Sequence, residues 1–171
     1  MLADASVAIA ADSDHLSLLS RHPHRVAARI RDIGASVSEL PIDYRNSAAL
    51  VAAVSSSQER FGPIDFALCW VHSTAPEAIQ SLTGVLKAPA ELLQVVGSSG
   101  KMPTHLDEQL DALRETYRPI EIRFVLLGFI KVGSRTRWLS HSEISDGVLA
   151  AAYAKEPVSI VGEIKRGSAR A

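Results

Sequence analysis

The chain has one cysteine, Cys69, among 171 residues. That excludes a disulfide framework within the chain and any cysteine-rich zinc site. It has no apolar run near the roughly 20 residues that a membrane-spanning helix needs. The amino terminus carries no basic segment ahead of an apolar stretch, so no secretory signal is read there. Neither sign of charge dominates: the net charge of −1 offers no basic field to nucleic acid or to an anionic membrane. Aromatic residues make up only 5% of the chain, with 47% apolar and 22% charged, an ordinary globular balance that excludes disorder, collagen and coiled coil. The histidines of His22-Pro23-His24 and His141 lack a third partner at metal-ligand spacing. Glycine is absent before Gly34. These absences leave a soluble, cytoplasmic protein. We expect one domain over residues 1–164 and a fraying polar tail over 165–171. A chain of this length buries roughly 70% of its unfolded surface and holds a core without staples.

What is present is an alternation of short apolar runs with helical spacing. Strands are predicted at His15–Ser20, Ala35–Leu40, Asp65–Val71, Glu91–Gly97, Ile120–Ile130 and Val158–Gly162. Between them, Val26, Ala27, Ile30 and Ile33 share one helical face, as do Leu50, Val51, Val54 and Phe61. Asn46 or Ser47 can cap the second of these helices, and Gly62-Pro63 stops it. Further helices are predicted over Pro76–Leu86 and Thr104–Leu113. Ser140-His141-Ser142-Glu143 is a capping box opening another. Strand then helix, repeated with short connections, means parallel strands joined by helical crossovers. The runs Phe66–Val71 and Phe124–Leu127 are apolar throughout, as strands buried on both faces are. The expected fold is an α/β, Rossmann-like, doubly wound parallel sheet.

Several segments, in chain order, resemble those of the short-chain dehydrogenases/reductases. Leu18-Leu19-Ser20-Arg21 resembles the end of that family's second strand, where the adenosine ribose is read. Asp43, after Leu40-Pro41-Ile42, matches the acidic residue near the adenine, with Tyr44 beside it. Phe61-Gly62-Pro63-Ile64-Asp65 resembles the approach to the fourth strand. Trp70-Val71-His72-Ser73-Thr74 stands where the family faces the adenosine with an Asn-Asn-Ala-Gly-like segment. Val96-Gly97-Ser98-Ser99-Gly100 resembles the strand end that bears the catalytic serine. Leu126-Leu127-Gly128-Phe129-Ile130 resembles the segment against the nicotinamide. The resemblance implies a nicotinamide nucleotide as cofactor, contacted by Ser20, Arg21, Asp43, Tyr44, Val71, His72, Gly97 and Gly128. An acidic residue in place of Arg21 would select NAD; the arginine suits the 2′-phosphate of NADP. Ser98 and His72 are the implied polar groups nearest a reacting carbon.

Two departures limit the chemistry. The family opens with a strand and a glycine-rich turn that lets the backbone approach the pyrophosphate. Here Met1–Ser6 reads as the helix that follows such a turn. A strand at Ala5–Ala10 would leave only Ala11–Asp14 as a connection, too short for a parallel crossover. The first strand and phosphate loop are therefore read as absent. In the order 3-2-1-4-5-6 that strand is central, so its loss leaves unpaired edges inside the sheet. Either the start lies too far downstream, or rearrangement or homo-oligomerisation repairs the gap. The second departure is the catalytic pair of tyrosine and lysine four apart. Four residues beyond Tyr44, Tyr117 and Tyr153 stand Ala48, Glu121 and Pro157. Three readings follow: an atypical oxidoreductase on a small carbonyl or alcohol, a non-catalytic nucleotide-sensing or partner-binding domain, and a truncated fragment.

Overall fold

The computed structural model describes residues 1–72, 75, 77–97, 106–116 and 119–164. Its first element is a helix, α1 (Ala3–Ala11), as the opening residues predict. Alanine has the highest helix propensity, and Ala5 and Ala10 are small enough to be almost wholly buried in close helix packing. Then come β1 (Leu16–Ser20), α2 (His24–Asp32) and β2 (Val37–Pro41). The helix α3 (Ser47–Phe61) starts at Asn46, whose side chain accepts the Ala49 amide at 3.0 Å. It ends at Gly62, whose φ of +95° lies in the region that favours glycine. The chain continues through β3 (Phe66–Trp70), α4 (Glu77–Val85), β4 (Glu91–Gly97), α5 (Leu106–Thr116) and β5 (Glu121–Leu127).

The single strand predicted over Ile120–Ile130 is instead broken at Gly128. Beyond it, β6 (Phe129–Val132) and β7 (Arg135–Trp138) form an antiparallel hairpin. The cause is tertiary. The Gly128 amide donates to the Val161 carbonyl at 2.8 Å, and Phe129 exchanges backbone hydrogen bonds of 3.0 and 2.8 Å with Glu163. A Cβ on Gly128 would lie 2.2 Å from the Glu163 carbonyl oxygen, so only glycine lets the two backbones meet there. The basic cluster of Lys131, Arg135 and Arg137 sits on this hairpin. Arg137 grips Glu143 with two contacts of 2.7 Å. The chain ends its regular structure in α6 (His141–Ala154), opened by the Ser140–Glu143 capping box, and β8 (Val158–Val161).

Parallel ladders join β1 to β2, and β3 to β4 to β5 to β8. No ladder joins β1 to β3. The arrangement β2-β1, break, β3-β4-β5-β8 is the order 3-2-1-4-5-6 with its central strand taken out and one further strand, β8, added beyond the last. Helices cover both faces. On one, Leu50 and Val54 of α3 and Ile79 of α4 pack against Leu92 and Phe124. On the other, Ala5 of α1 and Ile144 and Val148 of α6 pack against Leu93, Val95 and Val125. Leu92 and Leu93 pointing to opposite cores is the period-two alternation of a strand buried on both sides.

One cation lies inside this core. Arg123, on the α6 side of β5, is 1% exposed. Its guanidinium pairs with Glu91 on β4, and donates to the carbonyls of Ala151 and Ala152 at 2.8 and 3.1 Å. Those carbonyls belong to the last turn of α6, which intrahelical bonds leave unpaired and where a positive charge meets the negative end of the helix dipole.

Candidate functional site

All strands of the two parallel ladders end at one edge, and sites in such sheets lie beyond the carboxyl ends. The ends are in register: Ser20 is opposite Pro41, Trp70 opposite Val95, and Gly97 opposite Leu127. The edge therefore carries two groups of the sequence-proposed residues, separated by the open β1–β3 junction. Ser20 and Arg21 end β1, and Asp43 and Tyr44 follow β2. Val71 and His72 follow β3, Gly97 ends β4, and Gly128 follows β5. Ser98 lies outside the described residues, as do Ser73, Thr74, Ser99 and Gly100.

The first group is electrostatically defined. Arg21 is exposed; Ser20, Asp43 and Tyr44 are half-buried. The Tyr44 ring packs against the core beneath α3. Asp43 takes a bidentate grip from Arg45, with contacts of 3.0 and 2.6 Å to one oxygen and 3.1 Å to the other. The Arg45 amide donates to it at 3.0 Å. The Arg45 side-chain bonds, then this amide, hold the Asp43 carboxyl at about 2, with a further pull from the charge of Arg21. Arg45 was not among the residues singled out by sequence. Its only signal was its place two residues beyond an acidic residue in a strand-to-helix turn.

This pair predicts a titration. Asp43 loses its proton near 3.8 when unpaired and near 2 in the fold, so its stabilising contribution is complete above about pH 4 and is lost as pH falls toward 2. A carbon-detected NMR titration of the Asp43 carboxyl should show a midpoint near 2. Arg45→Ala should return it toward 3.8. A wild-type midpoint at the ordinary value would sink the assignment.

The second group is more varied. Val71 is half-buried against the α3 core. His72 is exposed, with its ring centroid 6.4 Å from that of Trp70 and tilted by 44°. Gly97 has open space where a Cβ would stand, so a ligand backbone or ring could approach it. Gly128 is buried against Glu163, and the chain crossing there requires a residue without a Cβ. Cys69, inside β3, has its thiol pushed up to about 12 by burial, which leaves no thiolate to act as a nucleophile at neutral pH.

The amino end of α1, which packs beside α2 and α6, adds a third feature. That end has no side-chain cap, so its first amides are free of side-chain acceptors. Asp4 stands in its first turn and pairs with Arg29 of α2 at 2.7 Å. The turn that would cradle a pyrophosphate is not among the described residues. No helix among them is long and apolar enough to cross a membrane.

No protein-family model matches the chain, and no curated protein matches it. Solved structures do. A metagenomic short-chain oxidoreductase in complex with NADP is 16% identical, with 97% of this chain and 91% of that chain covered at a TM-score of 0.65. An NADH-dependent reductase complexed with NAD is 15% identical, with 94% and 89% covered at 0.68. An alcohol dehydrogenase from the archaeon Thermococcus sibiricus, complexed with 5-hydroxy-NADP, is 14% identical, with 94% and 89% covered at 0.62. At such identities the likeness is one of fold. The chain has the Rossmann-like fold of the short-chain dehydrogenases/reductases, open at the junction of β1 and β3.

Proposed function

We propose that the chain binds a nicotinamide dinucleotide, NADP in preference to NAD, across the carboxyl edge of its sheet, within one domain formed by residues 1–164. The observation that carries this reading is the placement of Arg21. It stands exposed at the end of β1, close enough for its charge to act on Asp43 at the end of β2. Arg45 already neutralises Asp43 and leaves the Arg21 guanidinium outside that bidentate pair. A guanidinium placed there meets a 2′-phosphate as a charge-assisted partner and meets a bare ribose hydroxyl with little gain. The solved structures of the same fold that hold NADP or NAD support the cofactor class.

A bound nicotinamide would supply hydride exchange with a small carbonyl or alcohol. This chain's own residues would orient it: Ser20, Arg21, Asp43 and Tyr44 at the adenosine end, and Val71, His72, Gly97 and Gly128 along the remainder. Ser98 and His72 are the groups we assign to polarise a substrate oxygen. The second reading is a binding domain without catalysis. The missing tyrosine–lysine pair favours it, because no tyrosine in the sequence has a lysine four residues on to lower its pKa for proton exchange.

Calorimetric titration with NADPH, NADH and 2′,5′-ADP tests the reading. Removing one charge-assisted contact costs about 1.5–3 kcal/mol, or roughly 10- to 100-fold in affinity. Arg21→Ala should therefore weaken NADPH and 2′,5′-ADP by about that factor and leave NADH nearly unchanged. Equal losses for NADPH and NADH would end the role assigned to Arg21. No binding of any of the three to the folded chain would end the proposal.

A further inference from the structure

His15, just before β1, is half-buried, whereas His22, His24, His72 and His141 are exposed. Its Nδ1 is hydrogen-bonded to Ser36 Oγ at 2.8 Å and its Nε2 to Ser38 Oγ at 3.0 Å. Those two serines stand one residue apart, so strand alternation puts them on one face. The imidazole stacks on the ring of Phe61, the last residue of α3, with centroids 3.6 Å apart and planes 14° from parallel. The Arg60 guanidinium lies over the same Phe61 ring, 4.9 Å from its centroid. The charge that α3 brings to His15 is therefore positive. β2 brings none: Glu39, next to Ser38, belongs to the opposite face and pairs with Arg31 of α2 at 2.6 Å. Asp14, before His15, and Glu59 of α3 are exposed. Among the described residues no carboxylate is bonded to the ring.

This ring sits where the fold is least supported. β1 and β2 form a two-stranded ladder with no ladder to β3, and two strands alone need helix packing to hold them. Toward α3 that packing uses alternate residues. Leu19 shares a core with Leu50 and Val54, Ser17 meets Ser57 at 2.5 Å, and His15 lies on Phe61. His15 is thus the fastening at the carboxyl end of α3. A neutral imidazole suits it, because one nitrogen donates and the other accepts while each serine hydroxyl can do either. A proton taken from water makes both nitrogens donors, so the serine that donated must turn its hydrogen away. It also sets a second cation against the ring that Arg60 already covers. Burial, then the Arg60 charge, hold the imidazole below its ordinary 6.5.

We propose that His15 is an acid-sensitive latch. As the neutral imidazole it clamps β1 and β2 to the carboxyl end of α3. On taking up a proton it releases that end, and the two-stranded half of the sheet opens ahead of the four-stranded half. The sign follows from linkage: the contribution is complete above about pH 6.5 and is lost as pH falls from there toward the lower folded value. The described ion pairs do not share this window, since Asp43 titrates at about 2 and Glu91 below 4.5. The half that opens carries Arg21 and Asp43 at its carboxyl end, so nucleotide affinity would fall with it. That consequence rests on the nucleotide reading. The latch does not, and its test contains no nucleotide, so each can fail alone.

The test is amide hydrogen exchange on the full 171-residue chain, with each rate divided by the intrinsic chemical rate at its pH. Between about pH 7 and about pH 5.5, protection over β1 and β2 should fall by about threefold or more, against a ceiling of about tenfold per pH unit for one proton. It should stay below the protection of β4 and β5 throughout. His15→Gln keeps a donor and an acceptor for the two serines but takes up no proton in this range, so the fall should vanish. Arg60→Met, at an exposed position, leaves the latch in place and removes the opposing charge. An NMR titration should then show the His15 midpoint moving up toward 6.5, and the fall in protection should shrink. This second variant decides the matter even where His15→Gln does not fold. Four results would overturn the proposal: no fall in the wild type, an equal fall in His15→Gln, a His15 midpoint unmoved by Arg60→Met, or one common exchange rate for both halves of the sheet.

Discussion

Arg123→Leu is expected to lose about 3–5 kcal/mol of stability, the usual cost of removing one partner from a buried ion pair. At a few degrees of melting temperature per kcal/mol for a chain of this size, thermal unfolding should move down by roughly ten degrees or more. The loss has two sources. Glu91, whose side chain is 13% exposed, would keep its charge with only the well-exposed Lys155, 2.7 Å away, to offset it. The Ala151 and Ala152 carbonyls would lose the donors that satisfy the end of α6. The pH dependence follows by sign. Burial raises the Glu91 pKa, but hydrogen bonds from Lys155 and Arg123 outweigh it, so the folded value lies below the ordinary 4.5. Stability from this pair is therefore present above about pH 4.5 and is lost as pH falls through the folded value. The gap between wild type and Arg123→Leu should shrink in acid. Glu91→Gln in the Arg123→Leu background should recover part of the loss, because it removes the buried charge left behind. Urea unfolding of the three proteins measures all of this. A single-variant loss under about 1 kcal/mol would show that Arg123 is not holding β4, β5 and α6 together.

Gly128→Ala should cost about 1–3 kcal/mol with no ligand present, as overpacking does. Its Cβ would meet the Glu163 carbonyl oxygen at 2.2 Å and the carbonyl carbon at 2.7 Å. Both are backbone atoms in a two-bond bridge with Phe129, so neither swings aside as a side chain would. Gly97→Ala is the internal control: nothing lies within 4 Å of its Cβ, and its φ is not in the left-handed region. Its stability should change by under about 0.5 kcal/mol, and any effect should appear in nucleotide affinity alone. If the two alanine variants were equally stable, the chain crossing at Gly128 would be misplaced.

These two glycines show how far residue type can be read without tertiary structure. Both stand at strand ends in apolar contexts and look alike in the sequence. One has open space before it; the other is pressed against the end of β8, more than thirty residues away. The same limit explains the strand predicted through Ile120–Ile130. The apolar run is continuous, but Glu163 pairs with Phe129 and turns the chain out of the sheet at Gly128. Arg123 was invisible for a related reason. A single arginine in an apolar strand reads as an interruption until Glu91 and the end of α6 are brought to it.

Elsewhere local chemistry was sufficient. The Asn46 cap, the Gly62-Pro63 stop, the Ser140–Glu143 box and the alanine-rich helix at the start all act within a few residues, and each stands where the sequence places it. The parallel order followed too, since strands joined by short helical crossovers have few other ways to pack. The sequence by itself determined the elements apart from the break at Gly128 and the β6–β7 hairpin, their succession and the α/β class, because capping, period and connection length are properties of neighbours along the chain. The tertiary structure alone decided that Arg45 rather than Arg21 holds Asp43, that Arg123 is buried, and that Gly128 is pressed against Glu163. Those depend on pairings across tens of residues, where distance in sequence carries no information about distance in space.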